Sequence, residues 1–341
     1  FDTARGAPMS LLEIKDLSVE FDTVDGAVHA VRGLSYELDA GKALGIVGES
    51  GSGKTVSVLT VMGLLAENAR VTSGSVTFDG IDLLKATRSQ MRAIRGQRIS
   101  MVFQDPMTAL DPVARISKQI GETIEYHDRA ATRSQIRKRV IDTLESVGVP
   151  DAANRADQYP HQWSGGMRQR AVIAMALINS PDLIVADEPT TALDATVQAQ
   201  VLEVFRTIRQ EHGCSIILIS HDLGVVREIA DDVLVMYAGA AAEHCPTPEI
   251  FGDPRHPYTR ALLRARPGWG PRNERLFTIP GRPPDLLKVP QGCPFVARCA
   301  ESEGLEACRT VVPPLLEIQP GHLAACHRSD ELVHIEEEVA S

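Results

Sequence analysis

Gly48-Glu49-Ser50-Gly51-Ser52-Gly53-Lys54-Thr55 fits the pattern GxxxxGK[ST] in full. An almost continuous apolar strand, Ala43 to Val47, leads into it, and the apolar segment Val56 to Leu65 follows, so the local order is strand, loop, helix. In that setting, backbone N–H groups of the loop converge on phosphate oxygens at a helix N-terminus. Gly48, Ser50, Gly51 and Gly53 form the cradle. Lys54 is placed to reach the β- and γ-phosphates, and the Thr55 hydroxyl is a ligand for Mg²⁺.

A phosphate-binding loop of this kind needs a carboxylate from another strand to hold the metal. Leu183-Ile184-Val185-Ala186-Asp187-Glu188 supplies one at a strand's C-terminal end. Asp187 is the expected Mg²⁺ partner. Glu188, one residue on, is expected to point the other way, towards the γ-phosphate, where a general base orients the attacking water.

The short apolar runs Leu183 to Ala186 and Ser215 to Ile219 read as buried parallel strands separated by helical patterns, which gives an α/β core. Residues 11 to 47 alternate apolar and polar positions around turns at Asp25-Gly26 and Ala40-Gly41, a strand-rich opening. Residues 107 to 180 read mostly as helices, including Thr132 to Val147 and Arg168 to Ile178. Beyond Cys245 the prolines cluster (Pro246, Pro248, Pro254, Pro257, then Pro280, Pro283, Pro284 and Pro290). They predict irregular chain wrapped on the core, with a boundary near 245 to 258.

The chain of 341 residues is 43% apolar and 23% charged, ordinary for a globular protein of about two domains. Its net charge of −10 offers no bulk attraction to nucleic acid or anionic lipid, so bound phosphate has to be held locally. No stretch approaches the roughly 20 apolar residues of a membrane helix. Residues 1 to 10 have no apolar secretory core, and with Met9 as a plausible start they read as a tag or upstream segment.

Trp163-Ser164-Gly165-Gly166-Met167-Arg168-Gln169-Arg170 resembles the ABC signature motif, physically a Ser cap and two glycines opening a helix. Because the first loop already cradles a nucleotide, this second anion-binding terminus makes sense closing over ATP held by another subunit. The other marks of an ABC nucleotide-binding domain follow in order. Gln104 in Met101-Val102-Phe103-Gln104 resembles the Q-loop glutamine, which the resemblance places at Mg²⁺ and the attacking water. Ala192-Leu193-Asp194 resembles the D-loop, with Asp194 near the nucleotide. His221 in Ile219-Ser220-His221-Asp222 resembles the switch histidine that contacts γ-phosphate, and Phe21 the aromatic that stacks on adenine. The resemblance covers residues 11 to about 245 and implies a P-loop NTPase fold with a β-rich and an α-helical subdomain.

The tail narrows the family. Arg255-His256-Pro257-Tyr258-Thr259-Arg260-Ala261-Leu262-Leu263, then Pro280-Gly281-Arg282-Pro283-Pro284, then Gly292-Cys293-Pro294-Phe295 and Arg298-Cys299 look like the C-terminal extension of oligopeptide and dipeptide importer ATPases, here residues 246 to 341. Ser164-Gly165-Gly166-Met167-Arg168-Gln169-Arg170 resembles the subunit of the ATPase pair conventionally lettered D. The motif after the histidine, Tyr237-Ala238-Gly239-Ala240, lacks the basic residue relatives often carry at Ala240.

Cys293, Cys299, Cys308 and Cys326 crowd into the last fifth of the chain, and clustered cysteines without a secretion signal are more often metal ligands than disulfides. Their spacing, C-x5-C-x8-C-x17-C, matches neither the zinc-ribbon nor the ferredoxin pattern and leaves Zn²⁺, with His322 and His327 in reach, an iron–sulfur cluster and unliganded thiols all open. The resemblance implies a 4Fe-4S cluster as a structural staple. It further implies a second ATPase subunit in a heterodimer, two transmembrane permeases, an extracytoplasmic peptide-binding protein, and a peripheral position on the cytoplasmic face of the inner membrane. The same architecture serves nickel or oligosaccharide in related systems. A soluble ABC ATPase acting on nucleic acid or ribosomes is disfavoured by the acidic balance.

Overall fold

A computed structural model describes residues 10–191, 193–266 and 277–332. Most of the expected tag, Ala192 of the expected D-loop and the last residues of the tail lie outside the described residues. In chain order the strands are β1 (Leu12–Thr23), β2 (Gly26–Leu38), β3 (Ala43–Val47), β4 (Ala69–Phe78), β5 (Ile81–Asp82), β6 (Ile99–Val102), β7 (Leu183–Asp187), β8 (Ser215–Ser220), β9 (Asp232–Tyr237), β10 (Ala240–Pro246), β11 (Leu316–Gln319) and β12 (His322–Ala324). The chain divides into two compact units, one of residues 1–38, 44–84 and 220–341, the other of residues 39–43 and 85–219.

In the first unit, β2, β1, β4 and β5 form an antiparallel sheet in that order. Leu12, Ile14, Leu17 and Val19 of β1 are fully buried, and the register shifts between Ile14, Leu17 and Val19 keep them on the core side despite the uneven spacing. The hairpin closes with Thr23 opposite Gly26, at the expected turn. A second set of strands runs parallel from β3 to β9, Val47 opposite Val235, and continues antiparallel through β10, β12 and β11. Every residue of β3 is buried, as its unbroken apolar sequence requires of a strand covered on both faces.

The second unit carries β6, β7 and β8 as neighbouring parallel strands, with Ile99 opposite Leu183 and Leu183 opposite Ser215. All residues of β7 and β8 are buried. The helices Ile116–His127, Arg133–Ser146, Gly165–Leu177 and Ala195–His212 belong to this unit. Thr132 starts the second of them with a capping box: Gln135 Oε1 accepts the Thr132 N–H at 2.8 Å while Thr132 Oγ1 accepts the Gln135 N–H at 3.4 Å. Ile136, Val140 and Leu144 follow at four-residue spacing and form its buried stripe.

Among the described residues, the proline-rich extension packs its large buried side chains against the first unit's strand β9. Tyr258 is fully buried, its ring 4.5 Å from that of Tyr237 on β9 and 5.4 Å from that of Phe295. Beneath them lies the buried Glu243 carboxylate. Its Oε1 accepts the Arg255 N–H at 2.6 Å and lies 2.7 Å from His322 Nε2, and its Oε2 accepts the His256 N–H at 3.1 Å. His256 Nδ1 in turn accepts the Tyr258 N–H at 3.0 Å, which demands a ring unprotonated at that nitrogen.

Burial holds His256 down to about 4, against the nearby Glu243 charge that works the other way. Between that value and the ordinary 6.5 the unfolded chain binds a proton that the folded chain refuses, so stability drains away as pH falls through this window. Thermal melts are therefore expected to drop from pH 7 towards about pH 4, with a shallower slope in His256→Asn. Equal slopes in the two proteins would remove His256 as the cause.

Candidate active site

In the first unit, β3 delivers the chain into the loop Gly48–Gly53, and the helix Lys54–Val61 begins at its end. Gly48 has φ 153°, and a Cβ there would run into the Met236 carbonyl oxygen of β9 and into Ser52 Oγ. Only glycine lets the loop turn this close to the neighbouring strand. Lys54 is 6% exposed because its side chain folds back over the loop, and Nζ donates to the carbonyl oxygens of Gly48 at 2.7 Å and Glu49 at 2.9 Å. Ser50 and Thr55 are exposed. Ser52 Oγ is buried with no hydrogen-bond partner among the described residues. Sequence reasoning passed over Ser52 as one of the pattern's free positions.

Glu49 is held at both ends of its residue. Its N–H donates to Tyr258 Oη at 2.8 Å, and its carboxylate takes a two-point grip from Arg298, with Nη1 at 2.6 Å from Oε2 and Nη2 at 2.8 Å from Oε1. That hydrogen-bonded carboxylate lifts the Arg298 guanidinium above its ordinary range, against the cost of burial. The sequence marked Tyr258 and Arg298 only as features of the tail. His221, just past β8, is exposed, and Phe21 on β1 is half-buried opposite Val28 and Ala69.

In the second unit, β7 ends at Asp187, which is 7% exposed. Glu188 follows with φ 48°, a left-handed conformation that costs a non-glycine residue roughly 1–3 kcal/mol and that clusters at functional positions. Its N–H is anchored on the Ile219 carbonyl at 2.9 Å. Its Oε2 accepts from Gln104 Nε2 at 3.2 Å and from Thr191 Oγ1 at 2.8 Å. Two of the expected residues, Gln104 and Glu188, are thus brought together 84 positions apart, with Thr191 as a partner the sequence did not single out. The hydroxyl three residues beyond Glu188 was the available signal.

Ser164 caps the helix Gly165–Leu177, its Oγ accepting the Met167 N–H at 3.3 Å. Among the described residues, nothing lies within 4 Å of where a Gly165 Cβ would stand, whereas one on Gly166 would come 2.6 Å from Val197 Cγ1 of the helix Ala195–His212. Gly165 therefore leaves space at the helix start, and Gly166 permits the close approach of two helices. Asp194 caps the helix Ala195–His212 through the Val197 N–H at 2.9 Å.

In the extension, Cys293, Cys299, Cys308 and Cys326 line one cavity with Phe295, Val296 and Ser302, and all four are free thiols. Burial pushes Cys293, Cys299 and Cys326 up to about 11. The Cys293 N–H donates to the Cys308 carbonyl at 2.9 Å and the Arg328 N–H to Cys326 Sγ at 3.4 Å. Both histidines considered for zinc are engaged elsewhere, His322 with Glu243 and His327 Nε2 with the Val311 carbonyl at 2.9 Å.

Comparison with known proteins agrees with this inventory. The ABC transporter family model matches residues 31–191, and the model of the oligopeptide/dipeptide transporter C-terminal region matches residues 242–308. The dipeptide transport ATP-binding protein DppD of Bacillus subtilis is 48% identical over 322 residues, 94% of this chain and 95% of the relative. The oligopeptide transport ATP-binding protein OppD of Salmonella typhimurium is 46% identical over 333 residues, 97% of this chain and 98% of the relative. Among solved structures, the ATP-binding cassette MJ0796, dimeric in a post-hydrolysis state with ADP and Pi, superposes with a TM-score of 0.63 at 25% identity, covering 69% of this chain and 98% of that one. CbiO1 of Clostridium perfringens, part of the ABC transporter complex cbiONQ, gives 0.62 at 26% identity, covering 71% and 90%. No helix among the described residues is long and apolar enough to cross a membrane. The fold is that of an ABC cassette, and the chain belongs to the ATP-hydrolysing subunits of the oligopeptide and dipeptide ABC transporters.

Proposed function

We propose that this chain hydrolyses ATP to power import of dipeptides or oligopeptides, working from the cytoplasmic face of the inner membrane. The observation that carries the reading is the buried, unpartnered Ser52 hydroxyl beside the folded-back Lys54 ammonium, in a chain whose tail matches the peptide-transporter C-terminal region. A phosphate oxygen supplies the partner that the Ser52 hydroxyl lacks. Gly48, Ser50, Gly51, Gly53 and Lys54 then hold the phosphates, Phe21 stacks on adenine, Glu188 orients the attacking water and His221 contacts the γ-phosphate. Thr55, Gln104 and Asp187 offer a hydroxyl, an amide oxygen and a carboxylate, the hard oxygen donors that Mg²⁺ prefers, and the ion would offset charge on the transferring phosphoryl group.

Ser164, Gly165, Gly166 and Asp194 are assigned to a nucleotide held by a second, related ATPase subunit. The open space at Gly165 supports that assignment. Two permeases and an extracytoplasmic peptide-binding protein complete the assembly. In a strain lacking the chain, uptake of a labelled tripeptide is expected to vanish and to return with the wild-type gene but not with Glu188→Gln. Undiminished uptake in a strain lacking this and related ATPases would overturn the assignment.

The four-thiol cavity offers the all-cysteine donor set of a 4Fe-4S cluster. The N–H donated to Cys326 Sγ is a contact of the kind that tunes such clusters. Cys293, Cys299, Cys308 and Cys326 would hold it, and it would supply cross-linking to a segment with little apolar core. Anaerobically purified protein is expected to contain about four irons per chain and to lose them, with a drop in melting temperature, in Cys299→Ser. One zinc per chain and no iron would contradict this.

A further inference from the structure

Arg298 stands between two of the cavity thiols, Cys293 and Cys299, at the end of the short turn Val296–Arg298. Its side chain is 4% exposed and leaves the cysteine segment altogether. Besides its two bonds to the Glu49 carboxylate, Nη1 donates to Tyr237 Oη at 3.2 Å and Nε to the Pro280 carbonyl at 2.9 Å, with the Tyr237 and Phe295 rings 5.8 and 5.9 Å away. Glu49 is consequently fixed at every polar group it has: the carboxylate by Arg298, the N–H by Tyr258 and the carbonyl by Lys54 Nζ. An unbroken series of contacts runs from Arg298 through Glu49 to the ammonium of Lys54, and the backbone joins Arg298 to the cavity residue Cys299.

We infer that Arg298 is a positioning residue for the nucleotide: by fixing Glu49 it fixes the loop and Lys54, and the neighbouring cavity residue Cys299 acts on ATP affinity by holding the backbone of Arg298 in place. The inference rests on the reading of Gly48–Thr55 as the ATP site. A guanidinium pairs with a carboxylate at two points in a fixed plane, a constraint that a lysine cannot reproduce. Loss of that constraint displaces the loop relative to the phosphates without removing any group that touches them.

The test is equilibrium binding of a fluorescent ATP analogue to the full chain, in wild type, R298M, R298K, E49Q, C299S and the pairs R298M/E49Q and R298M/C299S, with melting temperatures measured alongside. Each of R298M, E49Q and C299S is expected to weaken binding about tenfold, and each pair no more than its stronger member, because all act through one series of contacts. If R298M does not fold, R298K and E49Q carry the test, both expected weaker than wild type. Affinity within twofold of wild type in folded variants, with only the melting temperature lowered, reduces the contact to a structural staple and overturns the inference. Additive losses in the pairs overturn it as well. A wild-type chain that binds no ATP analogue would instead sink the reading of the loop itself.

Discussion

Glu188→Gln is expected to lower the rate of ATP hydrolysis by about a thousandfold and to leave ATP affinity within about twofold, the signature of losing a group that acts only in the transition state. The substitution keeps the size of the side chain and an oxygen able to accept from Gln104 Nε2 and Thr191 Oγ1, so the local geometry survives. What disappears is a carboxylate able to take a proton from water. The left-handed backbone at Glu188 argues for the same role: roughly 1–3 kcal/mol of strain is retained there, with the N–H tied to the Ile219 carbonyl, where an unstrained turn would aim the side chain elsewhere. Steady-state phosphate release and nucleotide titration on the same preparation separate the two quantities. Turnover within tenfold of wild type would remove Glu188 from the base role.

Lys54→Ala has its largest effect on binding. Its ammonium is 6% exposed and rests on two loop carbonyls, so it is already desolvated and aimed across the loop before nucleotide arrives. Charge-assisted hydrogen bonds of this kind contribute about 1.5–3 kcal/mol each. Loss of the ammonium is expected to weaken ATP binding about a hundredfold, equivalent to about 3 kcal/mol, measured by equilibrium titration. Unchanged affinity in the folded variant would show that the backbone of the loop alone holds the phosphates.

The parts of this molecule legible in the sequence are those whose determinants are local. Gly48 to Thr55 carries its own pattern, and β3, β7 and β8 announce themselves through short runs of consecutive apolar residues because both their faces are covered. The expected helix Val56 to Leu65 is displaced: it starts at Lys54, since Lys54 and Thr55 form its first turn, and it stops at Val61 ahead of Gly63, whose φ of 58° ends it.

Contacts between distant residues left no trace in the pattern. Glu49 and Arg298 are 249 positions apart, and Gln104 and Glu188 are 84 apart. The prolines of the extension signalled irregular chain, which residues 277–295 form, whereas Pro248 and Pro257 lie in the first turns of the helices Thr247–Gly252 and Pro257–Arg264; they also concealed how Tyr258 and Phe295 bury against Tyr237. The strands β11 and β12, four and three residues long, are too short to show alternation and exist only because β10 offers an edge to pair with.

The most direct test of the whole account is ATP hydrolysis by the chain assembled in liposomes with its second ATPase subunit, permeases and binding protein, with and without di- to oligopeptides, and with Glu188→Gln as the blank. The account predicts hydrolysis that rises on adding peptide and is absent from the blank. Hydrolysis that rises with nickel or an oligosaccharide and ignores peptide would contradict it.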